Sequence, residues 1–149
     1  MPPVPARVVF DVLLGLHVTC ALVGFGSVAL TGVYGFLVSG GVAEDDVRRY
    51  FASPSRLEWL VLVVPLFGLG ALLADPHGHG LLQLWPGLAA LVWLVASGLL
   101  LGLVRPAERV LRAGGPRLDP SVGRRLGWAG VGADVAFFVA LMLMIWQPR

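Results

Sequence analysis

"VVFDVLLGLHVTCALVGFGSVALTGVYGFL", residues 8–37, decides the fold. It is a nearly unbroken run of apolar and small side chains. It is longer than the roughly 20 residues a helix needs to cross a bilayer, so the helix it predicts tilts or projects past the membrane. Asp11 and His17 stand inside the run, and no Ala-x-Ala-like cleavage site follows it. These features predict a retained helix and not a signal peptide. "HVTC", ending at the chain's only cysteine, Cys20, is a poor lipoprotein signal.

Working outward, three more segments have the length and apolarity of a span: 57–74, 86–104 and 126–146. The chain has 149 residues, 57% hydrophobic and 13% charged, with a mean hydropathy of +0.83. A soluble domain carries about 25% charged residues. The expectation is an all-α polytopic membrane protein, one antiparallel bundle of four transmembrane helices in a single domain over 1–149. Loops at about 38–56 and 105–125 would face the cytoplasm. One cysteine makes no internal disulfide, so cysteine usage says nothing about redox compartment.

All 11 basic residues are arginine, a usage that points to a GC-rich bacterial genome. Their placement sets the orientation. Arg48, Arg49 and Arg56 follow the first span, and Arg105, Arg109, Arg112, Arg117, Arg124 and Arg125 follow the third. The loop after the second span has none, and only Arg7 and Arg149 lie near the ends. The positive-inside rule then puts both termini outside a bacterial cytoplasmic (inner) membrane. Trp59 and Trp128 fall at inner ends of spans and Trp85 and Trp146 at outer ends, as an interfacial aromatic belt requires. Trp93 alone of the five tryptophans falls inside a span.

Local signals divide the loops. "AEDDVRRYF" places Ala43, Val47, Tyr50 and Phe51 on one face of a short surface helix. The second span starts at Ser53, with Pro54 in the first position, or at Ser55, with Glu58 closing a capping box. Pro65 inside it predicts a kink near Val61. "AERVLRAGG" carries the third helix beyond the membrane, and Asp119 with Pro120 opens the fourth.

"GFGSVA" has the letters of a dinucleotide fingerprint, but that motif needs a strand before it and here lies inside one apolar helix. His17, Ala21, Gly24, Val28, Thr31 and Gly35 instead form a seam at helical spacing, the packing face of the first span. His17 and Cys20, three residues apart, are either a haem or copper ligand pair or an interhelical hydrogen bond beside a small filler. Asp75, His77 and His79 in "DPHGHG" are either metal ligands or a wet turn. Asp134 lies inside the fourth span, where an Asp must face protein. Ser97 and Ser27 fall at nearly its depth, which predicts an intramembrane polar cluster of Asp134, Ser97 and Ser27, either a proton or cation site or a plain interhelical bond. Asp11 and Glu58 lie near opposite interfaces, where charge is tolerated.

"LHVTCALVGFGS", "LVRPAERVLR" and "LMLMIWQPR" together resemble an uncharacterised bacterial family of predicted four-helix integral membrane proteins. That family is similar to the copper-resistance-D-like group and to haem-binding protoporphyrinogen-oxidase-like membrane proteins. The resemblance implies that His17, in "LH", is a haem or copper ligand. The chain departs from metal-handling relatives in having no other intramembrane histidine.

No soluble-enzyme constellation is present, and the basic loops fit anionic headgroups and not nucleic acid. Three functions fit the sequence. The first is metal or haem handling through His17, with a second copy or a partner supplying the other ligand. The second is a non-enzymatic accessory or assembly subunit of a larger membrane complex. The third is an oligomeric proton-coupled transporter.

Overall fold

The computed structural model describes residues 4–41, 44–52, 57–75, 83–113 and 119–146. All regular structure among them is helical. Helix α1 is Val4–Ser39 and α2 is Glu44–Ala52. A 3-10 turn, Leu57–Trp59, leads into α3, Leu60–Leu73. Helix α4, Leu84–Leu99, passes through a π turn, Leu100–Val104, into α5, Arg105–Ala113, and α6 is Pro120–Trp146.

Three helical stretches, Arg7–Ser39, Leu84–Ala113 and Pro120–Trp146, are long and apolar enough to cross a bilayer. There are four if α2 and the helix after it, bent by 54°, count as one broken span. In the most apolar part of each of the three, only 22% of residues are buried. Leu22, Leu91, Val135 and many other large aliphatics point outward. A surface so apolar suits lipid far better than water.

Helix α1 is the central element, packed along α6 on one side and α3 on the other; α4 lies against α6, and α3 meets α4 only sparsely. The seam read from sequence is the packing face: His17, Gly24, Val28, Thr31 and Gly35 are buried and Ala21 is half-buried. The contact with α6 is set by backbone. A Cβ on Gly130 would lie 2.7 Å from the Cα of Gly32, so no side chain fits where the two helices cross. Such close approach is how membrane helices gain van der Waals contact without a hydrophobic driving force.

Helix α3 is continuous through Pro65. Proline has no amide to offer the Val61 carbonyl. Trp93 Nε1 on α4 donates to that carbonyl at 2.7 Å, which accounts for the one tryptophan inside a span. The alternative helix starts at Ser53 and Ser55 lie outside the described residues. Helix α6 opens as expected, the Ser121 amide donating to Asp119 Oδ1 at 2.8 Å.

The π turn keeps one face in phase. Ala96, Leu100, Val104 and Glu108 are all buried, four residues apart. In an α-helix each such step overshoots a full turn by about 40°, and three steps would swing Glu108 well off the face that Ala96 occupies. The wider i→i+5 turn at Leu100–Val104 takes up that drift.

Candidate functional site

The polar centre of the protein lies where α1, α2, the 3-10 turn and α5 converge. Glu58 is 0% exposed, Thr31 0% and Glu108 3%. Thr31 Oγ1 donates to Glu58 Oε1 at 2.6 Å. A threonine hydroxyl has one hydrogen, so Thr31 accepts in its other short contact, and the Tyr50 hydroxyl donates to it, also at 2.6 Å. Tyr50, half-buried, is held by a parallel stack on Tyr34 with ring centroids 3.9 Å apart.

The other oxygen of Glu58 faces α5. Arg105 Nε is 3.5 Å from Glu58 Oε2, and Arg105 Nη1 is 3.7 Å from Glu108 Oε2. Two carboxyls thus share one guanidinium, and each stands in the other's field. The guanidinium lies 4.5 Å from the centroid of the Trp59 ring, a cation–π contact. Glu58 Oε2, Arg105 Nε and Arg105 Nη2 are buried without a hydrogen bond among the described residues. Removing charges from water costs several kcal/mol per ion, and here two acids face one base. Arg112 Nε donates to the Phe51 carbonyl at 3.0 Å, tying α5 to the last turn of α2.

Glu58 is wholly buried and Arg105 is its counter-ion, a pairing the sequence reading did not make. Thr31 stood on the predicted seam, and Glu108 follows Arg105 by one helical turn. What the sequence does not contain is the bend that folds α2 and the 3-10 turn back over α1.

The residues singled out earlier lie elsewhere. His17 is 8% exposed, and its Nδ1 lies 2.9 Å from the Val64 carbonyl on α3. A carbonyl only accepts, so Nδ1 is the donor. The ring rests on Gly68, where a Cβ would come within 2.8 Å of Nδ1. Cys20 is buried as a free thiol. Asp75 is half-buried after α3, while His77 and His79 lie outside the described residues. Among the described residues no three His, Cys, Asp or Glu side chains form a metal-binding group.

Asp134 is half-buried on α6 and Ser27 half-buried on α1. The Ser97 hydroxyl is buried with no hydrogen-bond partner, so the expected Ser97–Asp134 bond is not made.

The chain matches no protein-family model, no curated protein and no solved structure.

Proposed function

We propose that this chain is a four-span integral membrane protein that binds and releases one proton at Glu58 and Glu108, the coupling step of an oligomeric proton-coupled transporter. Both termini lie outside a bacterial inner membrane, and the carboxyl pair sits toward the cytoplasmic side. One observation carries the reading: two buried carboxyls share a single guanidinium. With both ionised, two carboxylates repel each other across one guanidinium, and Arg112 only partly offsets this from further along α5; one proton removes the repulsion. The fourth span is α3, crossing with the bent segment before it. Nine arginines in the two loops that supply the centre, against two near the termini, support the orientation. An oligomer is supported by Gly98 and Gly102, four residues apart, each with open space where a Cβ would stand. That is the pattern of a helix-docking face.

The test is proton flux. The full chain is reconstituted into vesicles of anionic and zwitterionic lipid holding a pH-sensitive dye, and a pH step is imposed. The wild type is expected to collapse the gradient faster than empty vesicles, and Glu58→Gln and Glu108→Gln to return the rate to that background. Equal rates for wild type and Glu58→Gln overturn the reading.

A second reading, haem or copper handling, rests on His17. Metal-ligating histidines commonly donate their other N–H to a carbonyl, as His17 does to Val64. A Soret band or bound copper in purified protein, lost in His17→Ala, would establish it.

A further inference from the structure

The carboxyl pair is buried, so a proton needs a way in. Every contact of Glu58 points to the same one. Its Oε2 faces a guanidinium, which has no proton to lend at neutral pH. Its Oε1 accepts from Thr31, and Thr31 accepts from Tyr50. Thr31 is 0% exposed, whereas Tyr50 is half-buried. The two hydroxyls therefore link a half-buried tyrosine to the buried acid, with both O–H bonds directed inward.

We propose that Tyr50 and Thr31 form a proton wire to Glu58. The inference rests on the carboxyl pair being the proton site and adds its route of entry. In one inward hop, a hydronium ion gives its proton to the Tyr50 oxygen and is left as water. The original Tyr50 hydrogen passes to Thr31 Oγ1, and the Thr31 hydrogen passes to Glu58 Oε1. Three O–H bonds break and three form. One proton moves, no electrons are exchanged, and each hydroxyl keeps one hydrogen. Both hydroxyls then turn to restore the inward pattern. Neither residue needs to become charged for long, which suits groups whose own ionisation is far from neutral pH.

The surroundings hold the wire in register. The Tyr34 ring fixes Tyr50 by stacking, and Phe51 abuts both rings edge-on. The charged and titratable groups around the buried end are Arg105, Glu108 and Arg112 from α5, with Tyr34 and Tyr50 from α1 and α2. Arg105, Glu108 and the Thr31 hydrogen bond all bear on how readily the pair takes a proton; the rate at which the proton arrives at saturating acid belongs to the two hydroxyls and gives the wire its own signature.

The experiment follows the carboxylic-acid C=O infrared band of the full chain in lipid after a rapid pH drop. In wild type the band is expected to rise, and Glu58→Gln or Glu108→Gln to remove it. Thr31→Val and Tyr50→Phe keep shape and remove a hydroxyl. Each is expected to slow the rise about a hundredfold, the scale of a lost proton-transfer group, with the same band height reached when the final pH is low enough to saturate the site. Thr31→Ser, which keeps the hydroxyl, should restore the rate, and circular dichroism checks that every variant is folded. A band that rises at the wild-type rate in Thr31→Val overturns the wire and leaves the carboxyl site standing. A wild-type spectrum with no titrating band lost in Glu58→Gln overturns both.

Discussion

Trp93 supplies the hydrogen bond that Pro65 denies to Val61: its indole N–H lies 2.7 Å from the Val61 carbonyl. An acceptor exposed inside an apolar helix is thereby satisfied from a neighbouring helix. Trp93→Phe should lower stability by about 1–2 kcal/mol, the scale of an interhelical polar contact. In a Pro65→Ala background, residue 65 regains its amide, and the same change should cost measurably less. Reversible unfolding in mixed detergent, run as a double-mutant cycle, reads the difference. Equal costs in both backgrounds would show that the bond has no such role.

His17 and Gly68 form one unit. Gly68→Ala would place a Cβ 2.8 Å from the imidazole, so it should destabilise about as much as His17→Ala, again about 1–2 kcal/mol. The double variant should cost less than the two added together, because alanine at 17 leaves room for alanine at 68. A structural histidine leaves the visible spectrum of purified protein unchanged on substitution. Strict additivity in the cycle would separate the two residues.

Arg105 holds two acids, so its loss is worse than the loss of either. Arg105→Leu should destabilise by about 3–5 kcal/mol near neutral pH, the cost of orphaning buried charge, and Glu58→Gln by less. The penalty should shrink as pH falls, since protonation removes the charges left without a partner. Unfolding curves for the Arg105 variant at several pH values decide it, and a penalty that grows in acid contradicts the assignment.

Topology is open to labelling. In a Cys20→Ser background, single cysteines at His79 and Arg112 should react with a membrane-impermeant maleimide from opposite sides of the membrane. Reaction of both from the periplasmic side would overturn the topology argued from the arginines.

The start of α6 should respond to acid. Hydrogen bonds from Ser121 hold the Asp119 carboxyl below the usual carboxylate range. A group with a depressed folded pKa contributes its stability above the unfolded value and loses it as pH falls through the folded one. The protection of the Ser121 and Val122 amides, measured against the intrinsic exchange rate at each pH, should therefore fall in acid, and Asp119→Asn should flatten that dependence. Exchange with the same pH profile in both proteins would remove Asp119 from the account.

The helices were legible because membrane helices advertise themselves: long apolar runs, arginine-rich turns and a Pro after an Asp at the head of α6. The seam from His17 to Gly35 was legible for the same reason, since small residues at helical spacing mark where helices meet. The site was not. Glu58 reads as an interfacial acid because its neighbours in sequence are polar, and nothing in "PSRLEW" says that α2 folds over it. Arg105 counts toward orientation like any loop arginine until its partner is known. Depth along a helix predicted Asp134 beside Ser97, but pairing also needs the rotation of each helix, which period and length leave undetermined.

The π turn at Leu100–Val104 makes α4 and α5 a single rod with two phases. Insertions and deletions are ordinarily harsh inside a helix, since every later residue rotates to a new face. Here the usual order of severity is inverted. Deleting one residue between Leu100 and Val104 would give a more regular helix and leave Arg105 and Glu108 facing Glu58, because the roughly 100° it removes nearly cancels the drift that the π turn absorbs. A rod straightened with every residue kept would swing Arg105 and Glu108 off that face, so the extra residue and the wide turn are tolerated only together.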